Sequence, residues 1–426
     1  MNRYFLYTVA TAMLGIALIG CKKGKEVTLV SIAVTTEPTK KEYFFDEPFN
    51  PAGIVVTATY SDKTTKQVNV TEAMLGYDFK TEGTNKTVTI TYEGKTATVT
   101  VTVILFAGSG TNDSPYQIGN PAQLAKLAEL VNTGKWAYID KYYKLTDNIS
   151  LLDYGAGFNG GKGWIPVGNN YSLGNCFSGN FDGANFTVSN LYINSTGSEI
   201  GLFGCVSFGT ITNLSIVDAD ITGGASTGGV AGRVRGDGST TNCYVTGSIS
   251  FSGNGYPIGG VVGAVSLGSN VTNCYSAATV SGNDAVGGVV GFVGGGSVSN
   301  CYATGVVSGN DAVGGVVGIV RDGGNISNCA ALNPSIKRTS GTYITFGRVA
   351  GEILSGNGTL SDNVAWDGIS ALGGITFGAG AHDNENGADI TTEQAKQQAT
   401  YEALGWNFTT VWKIEEGAGY PKLVWE

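Results

Sequence analysis

A short sequence unit returns at nearly constant intervals in this chain of 426 residues. The unit is Asn-Cys-Tyr, or Asn-Cys-Ala in its last copy, and it begins at Asn242, Asn273, Asn300 and Asn328. A second unit, Gly-Gly-Val-Val-Gly, begins between these copies at Gly259, Gly287 and Gly314. A repeat of about 30 residues is typical of stacked structures, in which each unit buries its apolar face only against a neighbour.

Side chains within the repeat alternate in character with a period of two, which predicts a β-strand. The position after each asparagine is apolar and holds Leu191, Leu214, Cys243, Cys274, Cys301 and Cys329. The following position is mixed and includes Tyr244, Tyr275 and Tyr302. We therefore expect the cysteine row to point into the core and the tyrosine row to point outward.

Two or three such strands fit into each period, with Gly, Asn and Ser at the corners. The 66 glycines suit corners that need a positive φ or a close backbone approach. This pattern predicts a right-handed parallel β-helix, in which each coil is hydrogen-bonded to the next about 4.8 Å away. A seven-bladed propeller is the alternative, but the repeats of propeller blades usually run to about 40 residues.

The first 20 residues have the features of a secretory signal, with Arg3 before an apolar run that reaches Ile19. The run of about 16 residues is too short for a typical membrane span. Residues 18–21, Leu-Ile-Gly-Cys, resemble a bacterial lipobox, which implies cleavage before Cys21 and lipidation of its thiol. The resemblance implies an exported lipoprotein anchored to the membrane, here the bacterial outer membrane, and we expect display at the cell surface. Basic residues follow Cys21, where surface lipoproteins of Bacteroides-like bacteria carry acidic ones. The sequence therefore does not decide whether the anchored protein faces the periplasm or the exterior.

Residues 27–105 differ from the repeat region, because glycine is sparse and threonine, valine and tyrosine alternate. Two alternating segments, 86–92 and 95–103, are joined by Glu93-Gly94, which predicts a β-hairpin. Several short strands in this length predict a small β-sandwich. The runs at 43–45 and 53–62 resemble those of bacterial Ig-like modules, which implies an N-terminal Ig-like β-sandwich. Residues 106–112 are expected to form a linker.

Two segments predict short capping helices at the ends of a β-helix that spans residues 113–426. Asn120 and Pro121 are typical of a helix start, and the helix is expected to run to about Thr133. Thr391 and Gln394 form a capping-box pattern before a second short helix. The last residues are rich in aromatic side chains, which we interpret as a terminal plug: Trp406, Phe408, Trp412, Tyr420 and Trp425.

The two repeated units resemble those of GLUG-motif proteins, and the resemblance covers about residues 113–426. It includes the flanking segments at 177–183 and 419–423 and the run Asn-Cys-Tyr-Ala-Thr-Gly at 300–305. This resemblance implies an exported β-helix protein of the cell surface, a group often classed with adhesins. GLUG repeats also accompany immunoglobulin-A metallopeptidases, but the catalytic part of those enzymes is not recognisable in this sequence.

The content of charged residues and histidine limits the chemistry that we expect. His382 is the only histidine, which excludes a His-Glu-x-x-His zinc site, and it lies in a polar loop. Few charged residues occur in segment 224–332, and no carboxylate pair repeats there in the manner of a glycosidase. A net charge of −9 without a basic stripe disfavours nucleic acid as a partner. We therefore expect a protein that is not an enzyme.

Four of the six cysteines after Cys21 lie in the inward row, where we expect buried thiols. Their β-carbons would lie about 4.8 Å apart, beyond the usual 3.5–4.5 Å of a disulfide. A line of thiols also lacks the tetrahedral arrangement that zinc requires. Cys176 and Cys205 lie outside this row, and the sequence does not pair them. The asparagine row is expected to stack at left-handed corners, with amide hydrogen bonds along the coil axis.

The outward tyrosine row is the candidate ligand-binding strip, formed by Tyr244, Tyr275 and Tyr302. Three stacked rings would suit the face of a sugar or a protein partner. The alternative is that the rings only stack on one another and cover the corner. Asp284 and Asp311 lie at equivalent corners and are candidate calcium ligands, although Asn-Asp is also a common turn dipeptide. No other cofactor is expected.

These observations favour a surface lipoprotein that binds a host protein or glycan without catalysis. A carbohydrate-active β-helix enzyme, of the lyase or glycosidase type, is one alternative. Its groove would lie between the loops at 153–176 and 233–238 and would use Asp153 and Asp237. A passive structural component of the surface is the other alternative.

Overall fold

The structure, a computed structural model, describes residues 25–169, 175–251, 256–354 and 358–426. Two compact units appear, one ending at Val103 and one beginning at Ile104, except that residues 44–46 group with the second unit. The signal segment and Cys21 lie outside the described residues, so export and lipidation stay predictions. Within the described ranges, no helix combines the length and apolar character needed to cross a membrane.

The first unit contains two β-sheets, as the predicted Ig-like sandwich requires. One sheet contains, in spatial order, the strands Leu29–Thr36, Val55–Tyr60 and Thr65–Val68. The other contains the strands Glu42–Phe44, Lys95–Ile104, Gly83–Tyr92 and Leu75–Gly76, and the 3₁₀ turn Glu72–Met74 precedes the last of these. Glu93 and Gly94 both have positive φ, which matches the twist of a tight hairpin turn. The predicted hairpin is confirmed.

Near its start, after the strand Tyr116–Ile118, the second unit contains a helix that packs on the solenoid. This helix is Pro121–Asn132, and Oδ1 of Asn120 accepts a hydrogen bond of 2.8 Å from the Gln123 backbone N–H. Leu124, Leu127 and Val131 are buried in the same hydrophobic cluster as the coil interior. A short helix, Trp136–Ile139, follows. The predicted N-terminal cap is therefore confirmed, because its burial removes the open end of the stack from water.

The remainder of the second unit is a parallel β-helix whose strands form three sheets along the coil axis. The six-stranded sheet contains Phe203–Ser207, Ala231–Arg235, Val262–Ser266, Val290–Gly294, Val317–Arg321 and Ala350–Ile353. The four-stranded sheet contains Ile258–Gly259, Asp284–Gly287, Asp311–Gly314 and Phe346–Gly347. Neighbouring strands in both sheets are parallel.

The third and largest sheet contains 21 strands among the described residues. In chain order they are Tyr116–Ile118, Tyr142–Leu145, Ile149–Ser150, Asn180–Asp182, Thr187–Ser189, Tyr192–Asn194, Thr210–Gly223, Ser239–Phe251, Asn270–Thr272, Tyr275–Ser276, Thr279–Ser281, Ser297–Ser299, Tyr302–Ala303, Val307–Gly309, Asn325–Ser327, Ala330–Ala331, Ser335–Arg338, Thr359–Ser361, Val364–Trp366, Ser370–Leu372 and Ala388–Ile390. One coil, residues 270–294, contains five short strands where the sequence predicted two or three. The extra strands are the glycine-rich segments, whose small side chains hide the alternation that marks a strand.

Remaining short elements lie outside the three sheets of the solenoid. Two 3₁₀ turns, Leu152–Tyr154 and Asn159–Gly161, interrupt an early coil. The C-terminal segment contains a 3₁₀ turn, a short helix and a two-stranded hairpin: Gln394–Lys396, Gln398–Glu402, Trp412–Lys413 and Lys422–Leu423.

The four repeat cysteines are buried free thiols inside the coils, as predicted. Each Sγ donates to the carbonyl two residues earlier, for example Cys274 to Thr272 at 3.2 Å and Cys301 to Ser299 at 3.1 Å. The Sγ of Cys274 also accepts the backbone N–H of Cys243 at 3.4 Å. The thiols therefore form hydrogen bonds with backbone groups at a corner of the coil, where the backbone ladder between strands is interrupted.

Asparagines at the corner before this row form the predicted ladder. Asn242 donates through Nδ2 to Oδ1 of Asn213 at 3.0 Å, and Asn273 donates to Asn242 at 3.2 Å. Asn300 donates to Asn273 at 3.3 Å. The φ angles of all five asparagines from Asn213 to Asn328 lie between 53° and 56°. Asparagine suits this position because it tolerates the left-handed conformation and its amide both donates and accepts.

Cys176 and Cys205, which the sequence left unpaired, form a disulfide with a Cα–Cα distance of 4.8 Å. Cys205 lies in the strand Phe203–Ser207 of the six-stranded sheet. Cys176 lies in the irregular segment just before Phe177, whose backbone N–H donates to the Cys205 carbonyl at 2.9 Å. The bond therefore joins an irregular segment to a regular coil.

We predict that Asn273→Ala lowers the free energy of unfolding by about 2–5 kcal/mol. The substitution removes two amide hydrogen bonds, each worth about 0.5–1.5 kcal/mol, and forces alanine into the left-handed region at about 1–2 kcal/mol. Asn273→Gly is the matched control, because glycine adopts this φ freely and loses only the amide contacts. Urea unfolding of both variants checks the prediction, and equal stability of the alanine variant and the native chain would contradict it.

Candidate functional site

The tyrosine row lies outside the coils and stacks along the axis. The ring centroids of Tyr244 and Tyr275 are 4.9 Å apart with an interplanar angle of 7°. Those of Tyr275 and Tyr302 are 4.7 Å apart at 11°. Parallel stacking at this spacing follows from the register of the strands, because Tyr244 pairs with Tyr275 and Tyr275 with Tyr302.

This row is not an open strip, because the C-terminal segment covers it. Trp425 stacks on Tyr244 with centroids 5.6 Å apart, and the Tyr275 hydroxyl donates to Oε2 of Glu426 at 2.6 Å. The Tyr302 hydroxyl donates to the carbonyl of Pro421. Tyr275 and Tyr302 are only 7% and 2% exposed. The expectation of an exposed binding strip is therefore wrong, and the structure shows the alternative, in which the rings stack and serve packing.

The aromatic residues near the end of the chain form a side cover and not the terminal plug expected from the sequence. They share one hydrophobic cluster with tyrosine-row positions on successive coils: Tyr275, Tyr302, Ala330 and Val364. Trp406 and Trp412 stack with centroids 4.6 Å apart, and Trp406 Nε1 donates to the Asn328 carbonyl at 2.8 Å.

The predicted capping box is present at the start of this C-terminal segment. The Thr391 N–H donates to Gln394 Oε1 at 2.8 Å, and the Gln394 N–H donates to Thr391 Oγ1 at 3.3 Å. Periodicity could not place this segment, because it has no repeat.

Asp284 and Asp311, the candidate calcium ligands, are paired in register on adjacent coils. Burial raises the pKa of Asp284, and the charge of Asp311 adds to this effect. Burial also raises the pKa of Glu352, with both aspartates contributing. The Asp311 carboxylate accepts hydrogen bonds from the Thr345 hydroxyl and the Ala312 N–H. Across the described residues, no group of three or more His, Cys, Asp or Glu side chains could hold a metal ion. Calcium binding stays a prediction from the sequence.

A concave feature lies beside the irregular coil at 151–169. Two adjoining cavities of about 490 and 280 Å³ share Trp164, Ile165 and Asn169 in their walls. Tyr154 and Phe158 line the first cavity, which we call the aromatic cavity. Lys162, Glu199, Asn159, Ser195 and Ser198 line the second, which we call the polar cavity. Together they form the Trp164 cleft.

Hydrogen bonds hold the walls of the Trp164 cleft in place. Trp164 is buried, and its Nε1 donates to the Leu202 carbonyl at 3.1 Å. Oδ1 of Asn132 accepts the backbone N–H groups of Gly168 and Asn169 at 2.8 and 2.9 Å. The Tyr154 ring packs edge-on against Trp164, with centroids 5.5 Å apart. The cleft is therefore preformed, which is common for ligand sites.

Charges in the cleft are balanced. In the aromatic cavity, Lys126 Nζ lies 2.8 Å from Glu129 Oε1. In the polar cavity, Glu199 is buried and its Oε1 lies 3.7 Å from Nε of Arg233. Burial raises the pKa of Glu199, and the Arg233 charge opposes part of this effect.

Sequence reasoning missed the Trp164 cleft, because the cleft lies before the regular repeats. The signal available was the concentration of Tyr154, Phe158 and Trp164 in a glycine-rich segment. Asp153 and Asp237, proposed for the enzymatic alternative, are exposed and line neither cavity. His382 is exposed as well.

Comparison with protein families shows which modules the chain carries. Residues 36–103 match the bacterial Ig-like domain (group 3), and residues 282–308 and 309–337 each match the GLUG motif. The chain therefore contains an Ig-like domain and GLUG repeats, as the sequence resemblance implied.

Comparison with individual proteins supports the fold. The chain is 30% identical over 246 residues to halomucin of Haloquadratum walsbyi, covering 53% of this chain but only 3% of halomucin. Among solved structures, a candidate immunoglobulin A1 protease from Bacteroides ovatus has a TM-score of 0.57 at 22% identity, covering 76% of this chain and 96% of that chain. A further IgA1 protease has a TM-score of 0.43 at 14% identity, covering 87% and 30%. At these identities, the likeness to the Bacteroides ovatus protein shows the fold alone.

We predict that the four repeat thiols do not react in the folded protein. Burial raises the pKa values of Cys243, Cys274 and Cys301 well above the ordinary range, so the reactive thiolate is scarce and shielded. Treatment with a water-soluble maleimide should leave the peptides that carry these cysteines unmodified, whereas the same treatment in guanidinium chloride should modify them. Mass spectrometry reads the result, and rapid modification of any of them in the folded chain would contradict an inward row.

We predict that deprotonation of Glu199 lowers the free energy of unfolding as the pH rises above the ordinary pKa of a carboxyl group. Because the pKa of Glu199 is raised in the folded state, the folded chain retains a proton that the unfolded chain has already released. The contribution of this proton to the free energy of unfolding is full below the ordinary pKa of 4.5. It is lost as the pH rises through the raised pKa of the folded state. Glu199→Gln should flatten this part of the pH profile of unfolding free energy. The exposed Asp153→Asn is the control, and an unchanged slope in Glu199→Gln would refute the assignment.

Proposed function

We propose that this chain, which carries a group 3 bacterial Ig-like domain and GLUG repeats, is a non-catalytic protein of the cell surface that binds a host glycan or protein. In this proposal Cys21 anchors it to the outer membrane. The GLUG motifs and the likeness to halomucin support a place outside the cell.

The observation that carries the binding proposal is an uncharged strip on the outer face of the large sheet. Three-residue segments on successive coils present hydroxyl and amide groups in register: Ser239–Thr241, Asn270–Thr272, Ser297–Ser299, Asn325–Ser327 and Thr359–Ser361. Their central residues are buried and their outer residues are partly or fully exposed.

Neighbouring groups on this face are already ordered by hydrogen bonds. Ser297 Oγ donates to Asn270 Oδ1 at 2.6 Å, and Thr359 Oγ1 donates to Asn325 Oδ1 at 2.9 Å. A rigid face of donors and acceptors without charge suits a neutral, hydrogen-bonding partner, since it cannot attract polyions and loses little side-chain entropy on binding.

We predict that the purified chain binds neutral glycans or mucin-type glycoproteins on an array, and that salt changes the binding little. Low salt dependence follows from the uncharged face, because screening acts on charge pairs. Thr272→Lys together with Ser299→Lys should reduce the signal by placing adjacent like charges on the face. Thr87→Lys, on an exposed position of the Ig-like sheet, is the control.

An array without binding above background would contradict the proposal. Release of sugar products from a polysaccharide panel would favour the alternative of a carbohydrate-active enzyme. Protease treatment of intact cells gives the location, since a chain that survives untouched does not face the exterior.

A further inference from the structure

We propose that the Trp164 cleft is a saccharide-binding site that takes a neutral pyranose ring, the terminal or internal residue of a glycan. This inference deepens the proposed function and rests on it for the class of partner. The two adjoining cavities of this cleft lie where the chain departs from the repeat and could enclose a single sugar ring.

Size is the first argument for a ligand site. The aromatic cavity, at about 490 Å³, falls within the range of roughly 300–1,000 Å³ that is typical of small-molecule sites. The polar cavity adds about 280 Å³ on the other side of the shared Trp164 and Ile165. The pair therefore has room for more than one ring.

The division into an apolar and a polar compartment is the second argument. Tyr154 and Phe158 are half-buried, so their rings are partly open to the aromatic cavity, while Lys162 and Asn159 are exposed at the polar one. A pyranose matches both compartments, because one face presents C–H groups to an aromatic ring and its edge carries hydroxyls that donate and accept. An aromatic peptide side chain would fill the first cavity but leave the polar groups of the second without partners.

Charge is the third argument, and it selects a neutral sugar. Each cavity contains one cationic and one anionic side chain, Lys126 with Glu129 and Lys162 with Glu199. Arg233 adds a counter-charge behind Glu199. A phosphorylated, sulfated or otherwise polyanionic ligand would meet a carboxylate in either cavity, which disfavours it.

The test measures binding of simple glycosides to the full-length chain. The compounds are methyl glucoside, methyl galactoside and methyl N-acetylglucosaminide, with N-acetylphenylalanine amide as the representative of a peptide ligand. Saturation-transfer NMR detects binding, and titration gives the affinity. We expect at least one glycoside to bind, with transfer strongest at the C–H groups of one ring face, and the phenylalanine derivative not to compete.

Variants locate the binding at the cleft. Tyr154→Ala and Phe158→Ala should each weaken glycoside affinity at least fivefold, because each removes an aromatic wall. Ser198→Phe, which fills the polar cavity from an exposed position, should abolish binding without disturbing the fold. Trp136→Ala is the matched control, since Trp136 is 71% exposed and lines neither cavity. Circular dichroism and thermal unfolding show whether each variant is folded.

The site proposal is overturned if no glycoside binds, if the phenylalanine derivative binds in place of the glycosides, or if folded Ser198→Phe binds glycosides with native affinity. Glycan-array binding by a native chain that binds none of the glycosides would retain the surface-binding function and reject this site. If the native chain binds neither the glycan array nor the glycosides, both proposals are rejected. Failure of the cleft proposal alone is therefore distinguishable from failure of the proposed function.

Discussion

In-register stacking of coils is the constraint on which the rest of this structure depends. A coil of about 28 residues buries too few apolar side chains to offset a backbone entropy cost of about 1–2 kcal/mol per residue. Burial against the coils above and below, together with the parallel backbone ladders, supplies the difference. Because every coil must match its neighbours, each corner must repeat the same backbone geometry, and the asparagines with φ near 55° provide it at one corner. Their amides then form a ladder that opposes slippage of one coil on the next.

Features that repeat along the chain could be predicted from the sequence. The inward cysteines, the asparagine corners and the outward tyrosines each recur at the coil period, so their orientations follow from strand alternation alone. The N-terminal helix was also predictable, because a capping asparagine, a proline at the first turn and an apolar face are local signals. In these places the physical cause lies within a few residues of its effect.

Features that depend on one non-repeating segment meeting another could not be predicted. The Cys176–Cys205 disulfide joins an irregular segment to a strand, and nothing in the spacing of the two cysteines indicates this contact. The C-terminal segment covers Tyr275 and Tyr302 across about 120 to 150 residues of chain, through contacts such as Tyr275 with Glu426. The same holds for the Trp164 cleft, whose walls come from the helix Pro121–Asn132 and the segment at 193–200. Solvent exposure of an outward position therefore depends on where such segments fold.

The regular and the irregular parts of the second unit therefore differ in the surfaces that they form. Regular coils form flat, rigid faces with few charges, whereas enclosed space arises where the chain departs from the repeat, as at Leu152–Tyr154 and Asn159–Gly161. Loops on a rigid scaffold commonly carry binding residues for this reason. The buried tyrosines belong to the scaffold, because their hydroxyls bond to the C-terminal segment and their rings lie between it and the coils.

Amide hydrogen exchange, resolved by residue, tests the stacking of coils most directly. The account predicts that the backbone N–H groups of Ala264, Phe292 and Ile319, which occupy equivalent ladder positions on three successive coils, exchange slowly and at similar rates. It also predicts that one core substitution in the middle coil accelerates all three together, since coils are stable only as neighbours. Fast exchange at these amides in the native chain, or independent rates after such a substitution, would contradict a continuous stack.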